Sequence, residues 1–170
     1  MGLLIVKGDF TGKYKIAQDN YTGSMLDTYI DKFEELYLID LLGVELFDLF
    51  KADVTNYLPT TPKYLALYNT IRLDDTSGSI HISEGMKEML LGFIYFEYMR
   101  DMKFKSTPSG VVVGSSEVSR ETPSEENNLY ARYNLSIKSY RTIQWYIENN
   151  EDGYDYDEYN GQCKNIVSWF

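Results

Sequence analysis

The residues with which this chain could do chemistry are few. Its one histidine, His81, and its one cysteine, Cys163, stand 82 positions apart. A zinc site takes several Cys or His at defined spacing, so these two do not suggest one. Nor does the sequence offer a Ser, His and Asp arrangement for a nucleophile and its base. Asp152, Asp155 and Asp157 invite a calcium reading. A calcium loop, however, needs acids at positions one, three and five, followed by glycine. Counted from Asp155, position five is Tyr159 and position six is Asn160, so the run reads as a solvated acidic turn. There is no Gly-x-x-x-x-Gly-Lys phosphate loop, and no Gly-x-Gly-x-x-Gly turn follows a strand. The chain has 26 acidic residues, and nothing selects two of them as the paired carboxylates of a glycosidase. The expectation is a protein that is not an enzyme, with no catalytic, cofactor-binding or metal-ligating residues.

What remains is surface. Acids outnumber bases 26 to 16, for a net charge of −10. A protein that grips nucleic acid neutralises phosphates with clustered Lys and Arg, and no such cluster is present. The chain is rich in aromatics, with 16 Tyr, 8 Phe and 2 Trp. Tyrosine joins a rigid apolar body to a polar tip, which suits surfaces buried only on assembly as well as the margins of a helical core. With a single cysteine, no intrachain disulfide can form. Cys163 reads as a small apolar residue in a protein that folds in a reducing compartment. No apolar run reaches the roughly 20 residues of a membrane-spanning helix, and the start, Met1-Gly-Leu-Leu-Ile-Val6, lacks the features of a signal peptide.

The elements that must position this surface are mainly helical. Residues 1–23, punctuated by Gly2, Gly8, Gly12 and Gly23, read as an extended N-terminal arm, with room for one short strand. Ser24 reads as a cap. After it, Leu26, Tyr29, Ile30, Phe33, Leu36, Tyr37 and Leu41 form an apolar face, with Asp31, Lys32, Glu34 and Glu35 opposite. Gly43 ends or bends that helix, and Leu46, Phe47 and Phe50 continue as a shorter amphipathic segment. Two prolines make 56–62 a loop. Thr61 and Pro62 then open a short helix reaching about Ile71, and 74–79 is a polar turn. Ser83 caps a helix to about Lys105 that is apolar on two sides. Leu91, Tyr95 and Tyr98 lie off its main stripe, so a second helix or a neighbouring subunit must cover them.

Residues 106–122 break the helical pattern. Val111, Val112 and Val113, set between Gly110 and Gly114, have strong β preference and suggest a projecting segment that pairs with another strand, or else a surface hairpin. Thr122-Pro-Ser-Glu125 combines a capping Thr, proline at the first helical position and the Glu of a capping box. It opens a helix of about seven turns with Leu129, Tyr133, Ser136, Tyr140, Ile143 and Ile147 on one face. An acidic turn follows at 148–159. Residues 160–170 end on Ile166, Val167, Trp169 and Phe170, a terminus that docks on its own core or on a partner. The whole is one domain, 1–170: a bundle of about four to five helices with an N-terminal arm and a long projecting loop or β-hairpin between two core helices.

Across 98–147 and the helix end that leads into it, several stretches resemble the head-to-tail connector, or adaptor, proteins of tailed bacteriophages. They are Phe96-Glu-Tyr-Met-Arg-Asp-Met102, Thr107-Pro-Ser-Gly-Val-Val112, Glu125-Glu-Asn-Asn128 and a helix carrying Ser139-Tyr140. The order of helix, projecting loop and long second helix is similar over most of the chain. The resemblance implies a ring of identical subunits, commonly dodecameric, beneath the portal protein at the virion neck. Such a ring extends the DNA channel and presents a platform to further neck or tail proteins. It further implies that Val111, Val112 and Val113 reach a neighbouring subunit or the next ring. Ile166, Val167, Trp169 and Phe170 would insert into the portal, and an acidic lumen would pass genomic DNA without holding it. The competing class is a helical interaction module or regulator working as monomer or dimer.

Overall fold

The computed structural model describes residues 2–16, 20–74, 78, 80–107, 110–113, 123–149 and 152–166. Among them the chain is mainly helical, with five helices: α1 (Asn20–Leu42), α2 (Val44–Asp53), α3 (Pro62–Tyr68), α4 (Met86–Lys103) and α5 (Pro123–Glu148). Three short antiparallel hairpins interrupt them: β1 (Val54–Thr55) with β2 (Leu58–Pro59), β3 (Ile71–Asp74) with β4 (Ile80–Ser83), and β5 (Phe104–Thr107) with β6 (Gly110–Val113).

The core is organised around α4, in which every residue from 89 to 98 is buried. Helix α5 packs along it, and α1 covers a further side. Aromatic rings fill the seams. Phe93 stacks on Tyr37 of α1 at 4.2 Å between centroids and meets Tyr140 of α5 edge-on at 6.2 Å. Tyr98 meets Tyr29 edge-on, Phe96 lies against Tyr133, and Tyr95 against Tyr14. The second apolar side of α4 is therefore covered by the same chain, and much of the tyrosine excess is spent internally. Close approach of α4 to α5 depends on Gly92, where a Cβ would lie 2.0 Å from Ser136 Oγ.

Several boundaries differ from those read off the sequence. Helix α1 starts at Asn20, so Ser24 lies inside it rather than capping it, and its carbonyl accepts the Thr28 hydroxyl. Asn20, Thr22 and Ser24 are all residue types that cap helices, and Gly23 costs a helix only about 1 kcal/mol, so local signals do not choose the start. Leu36 is exposed and Glu34 buried, the reverse of their assigned faces; Glu34 continues the stripe of Ile30, Leu38 and Leu41. The arm holds two 3-10 turns, Lys7–Asp9 and Gly12–Tyr14, in place of a strand, with Leu4, Ile5, Phe10, Tyr14 and Ile16 buried.

Helix α3 begins at Pro62 as its proline dictates but ends at Tyr68. Residues 71–74 and 80–83, on either side of the polar turn, form a hairpin instead. The turn into α4 is made by Gly85 at φ +102°, and Ser83, the last residue of β4, accepts the Gly85 N–H at 3.1 Å. The expected bend at Gly43 is present, at φ +81°. A Cβ there would strike the Asn160 backbone at 2.8 Å. Helix α5 begins at Pro123 as its start signal requires, while the capping residue Thr122 lies outside the described residues.

Candidate interaction surfaces

Two features hold the residues singled out as partner-binding: the β5–β6 hairpin and the C-terminal strap. The hairpin grows directly out of α4, since β5 begins at Phe104, the residue after the helix ends. Its register pairs Phe104 with Val113, Lys105 with Val112, Ser106 with Val111 and Thr107 with Gly110. Val111, Val112 and Val113 thus have a strand partner within their own chain. Each strand of this two-stranded sheet has one neighbour, and an antiparallel strand with one neighbour turns alternate N–H and C=O groups away from it.

The strap, residues 160–166, crosses the C-terminal end of α1 and the second half of α5. The Asn160 and Gln162 N–H groups donate to the Leu42 and Asp40 carbonyls at 3.2 and 2.6 Å. The Tyr140 hydroxyl is shared between the carbonyls of Asp40, at 2.6 Å, and Gln162, at 2.5 Å. Burial holds that phenol above its ordinary pKa, so it stays a donor. Arg141 Nε and Gln144 Nε2 bind the carbonyls of Lys164 and Gln162, and Lys164 Nζ reaches Asp40 at 2.6 Å. The strap is therefore fastened to its own body as far as Asn165. Ile166 is 47% exposed. Val167, Trp169 and Phe170 lie outside the described residues.

These two features do not form one site. The strap crosses at the level of Tyr140 and Phe93, ten residues along α4 from Lys103, a helical rise of roughly 15 Å. A third surface was not anticipated. The β3–β4 hairpin shows water Arg72, Asp74, Ile80 and Ile82, with Ile80 68% and Ile82 45% exposed. Ile82 shares a shallow cleft with Leu135 of α5, itself 50% exposed. The period-two pattern of 71–74 and 80–83 was the available signal.

Of the groups with chemical potential, His81 and Asp157 have structural partners. His81 stacks on Trp145 of α5, with ring planes 10° apart. Cys163 is free and exposed. The hydrogen bond with Asp155 and the charge of that neighbour raise the Asp157 carboxyl from its ordinary value. Among the described residues, no group of three or more His, Cys, Asp or Glu is placed to hold a metal ion, and no helix is long and apolar enough to cross a membrane.

Two carboxylates matter more than any of these, and neither stood out in the sequence. Glu34, 2% exposed, accepts the N–H groups of Leu3, Leu4 and Ile5 at 2.6, 2.6 and 3.0 Å and so ties the arm to α1. Burial pushes its carboxyl up to about 7, against those three bonds, which favour the anion. Asp53 closes the β1–β2 hairpin onto α3 by accepting the N–H groups of Thr60 and Thr61 at 2.7 and 2.9 Å, together with both hydroxyls. Its slight burial acts upward, but the bonds from Thr61 and Thr60 hold its carboxyl down at about 2.

No protein-family model, no curated protein and no solved structure matches this chain.

Proposed function

We propose that this chain is a structural virion protein: a ring-forming connector at the neck of a tailed bacteriophage, joining the portal to the tail and extending the DNA channel. The observation that carries the reading is the β5–β6 hairpin built as a direct continuation of α4. A helix buried over ten consecutive residues is a rigid mount, so the hairpin can bear load across a subunit boundary. The stretch that resembles connector proteins, 98–147, runs through the end of this helix, the hairpin and α5. A net charge of −10 suits a channel through which DNA slides without sticking. The strap is secured as far as Asn165, and Trp169 and Phe170, a few positions further along the sequence, are the groups that fill a portal pocket.

The test is co-sedimentation with the portal protein of the same phage, using the full chain and a chain lacking residues 166–170. The full chain pellets with the portal, and the truncated chain loses most of that binding. Equal binding of both would refute the anchor, and no binding by either would refute the connector.

A second reading, a helical interaction module working as monomer or dimer, is favoured by one observation. The core closes within the chain, without help from a neighbour on α4.

A further inference from the structure

The exposed face of the β3–β4 hairpin has the marks of an unfinished sheet. Ile71 and Ser83 on its inner face are buried, Leu73 and His81 are half-buried, and His81 rests on Trp145. Strand β4 lies along α5, where the Thr142 hydroxyl reaches the Ile82 carbonyl at 3.4 Å. Among the described residues, strand β3 is the outer strand, with β4 as its one neighbour. Two-stranded sheets are marginal alone. On its outer face Ile80 and Ile82 of β4 stand in water, with Arg72 and Asp74 of β3 between them and the open edge.

The β5–β6 hairpin is the second unfinished sheet, with strands of the same four-residue length. Of its two strands, β5 carries Lys105 and Gly110-Val-Val-Val113 of β6 carries no charge, while the receiving strand β3 carries Arg72 and Asp74, one of each sign. The two hairpins also differ in charge. Residues 103–113 hold two lysines and no acid, while 71–83 hold two aspartates against one arginine. On chains that repel one another at net −10, a basic element meeting an acidic one supplies local attraction.

We infer that β6 of one copy pairs with the open edge of β3 on a second copy of this chain, making a four-stranded sheet across the subunit boundary. Each copy then presents one donor edge and one acceptor edge. Such a head-to-tail contact repeats, and it closes into a ring when the rotation between copies permits. The contact rests on the ring reading only for that closure.

Cysteine cross-linking tests it. Arg72→Cys and Val112→Cys are placed separately and together in a Cys163→Ser chain, which is treated with a short bismaleimide, alone at high concentration and again with the portal. The expected result is a ladder of multimers from the double variant, one-to-one dimers from mixed single variants, and no cross-link from Arg72→Cys alone. Dimers from Arg72→Cys alone would overturn the inference in favour of a two-fold β3–β3 contact. Rings seen with the portal but never cross-linked would overturn it while leaving the connector reading intact. A ladder with no portal binding would support it and remove the connector reading. Hydrogen exchange on the unaltered chain gives a second check that needs no variant. On assembly, amides of 71–74 and 110–113 should slow by about tenfold or more, and unchanged rates in assembled material would overturn the inference.

Discussion

Glu34 sits where an aliphatic residue would pack, and three backbone N–H groups of the arm converge on it. An acid in line with Ile30 and Leu38 is tolerable only because those donors take the place of water. Its folded carboxyl lies at about 7 against an ordinary value of 4.5, so the folded chain holds that proton more tightly than the unfolded chain does. By linkage, the associated stability is fully present below about 4.5 and is lost as the pH rises through about 7. Chemical unfolding at pH 5 and pH 8 should show Glu34 contributing a loss on the order of 2–3 kcal/mol across that interval. Glu34→Gln should flatten this part of the profile, and an unchanged slope would show that the carboxyl does not titrate there. Nothing in the local sequence marks Glu34 apart from Glu35. Their difference arises from the path of residues 2–5, a contact across about thirty positions, which periodicity does not register.

At the scale of elements, α4 and α5 are held close by the absence of a side chain at Gly92. The nearest obstacle to a Cβ is Ser136 Oγ at 2.0 Å, followed by Tyr14 OH at 3.1 Å and Ser136 Cβ at 3.3 Å. Gly92→Ala should therefore cost about 1–3 kcal/mol through overpacking. Adding Ser136→Ala should recover a large part of that loss, because it removes the atom in conflict. Thermal unfolding of the two single variants and the double variant decides the matter, and strictly additive losses would contradict the close contact. Elements with their own start and stop chemistry were legible beforehand: α2 after Gly43, α3 from Pro62, α5 from Pro123. The two-sided apolarity of α4 correctly required cover on both sides, and the structure finds that cover within the chain. The β3–β4 hairpin was missed, its short alternation being the one signal available. Four-residue strands beside a short helix offer too few repeats to separate period two from period 3.6.

For the whole molecule, the sequence left the second side of α4 to a second helix or a neighbouring subunit, and in the structure the chain itself supplies the cover. Leu91, Tyr95 and Tyr98 are buried by the chain's own helices, while the apolar groups left in water include Ile80, Ile82 and Leu135 at one hairpin and Ile166 at the end of the strap. Among the described residues, Leu36 of α1, Val44 and Leu49 of α2 and Leu58 of β2 are exposed as well, so apolar surface open to a partner lies at more than one place on the body. The most direct measurement is electron microscopy of the chain mixed with its portal protein. A closed ring of this chain, coaxial with the portal and continuous with its channel, is the result the account predicts. Portal particles without an added ring, with the chain remaining monomeric beside them, would contradict it.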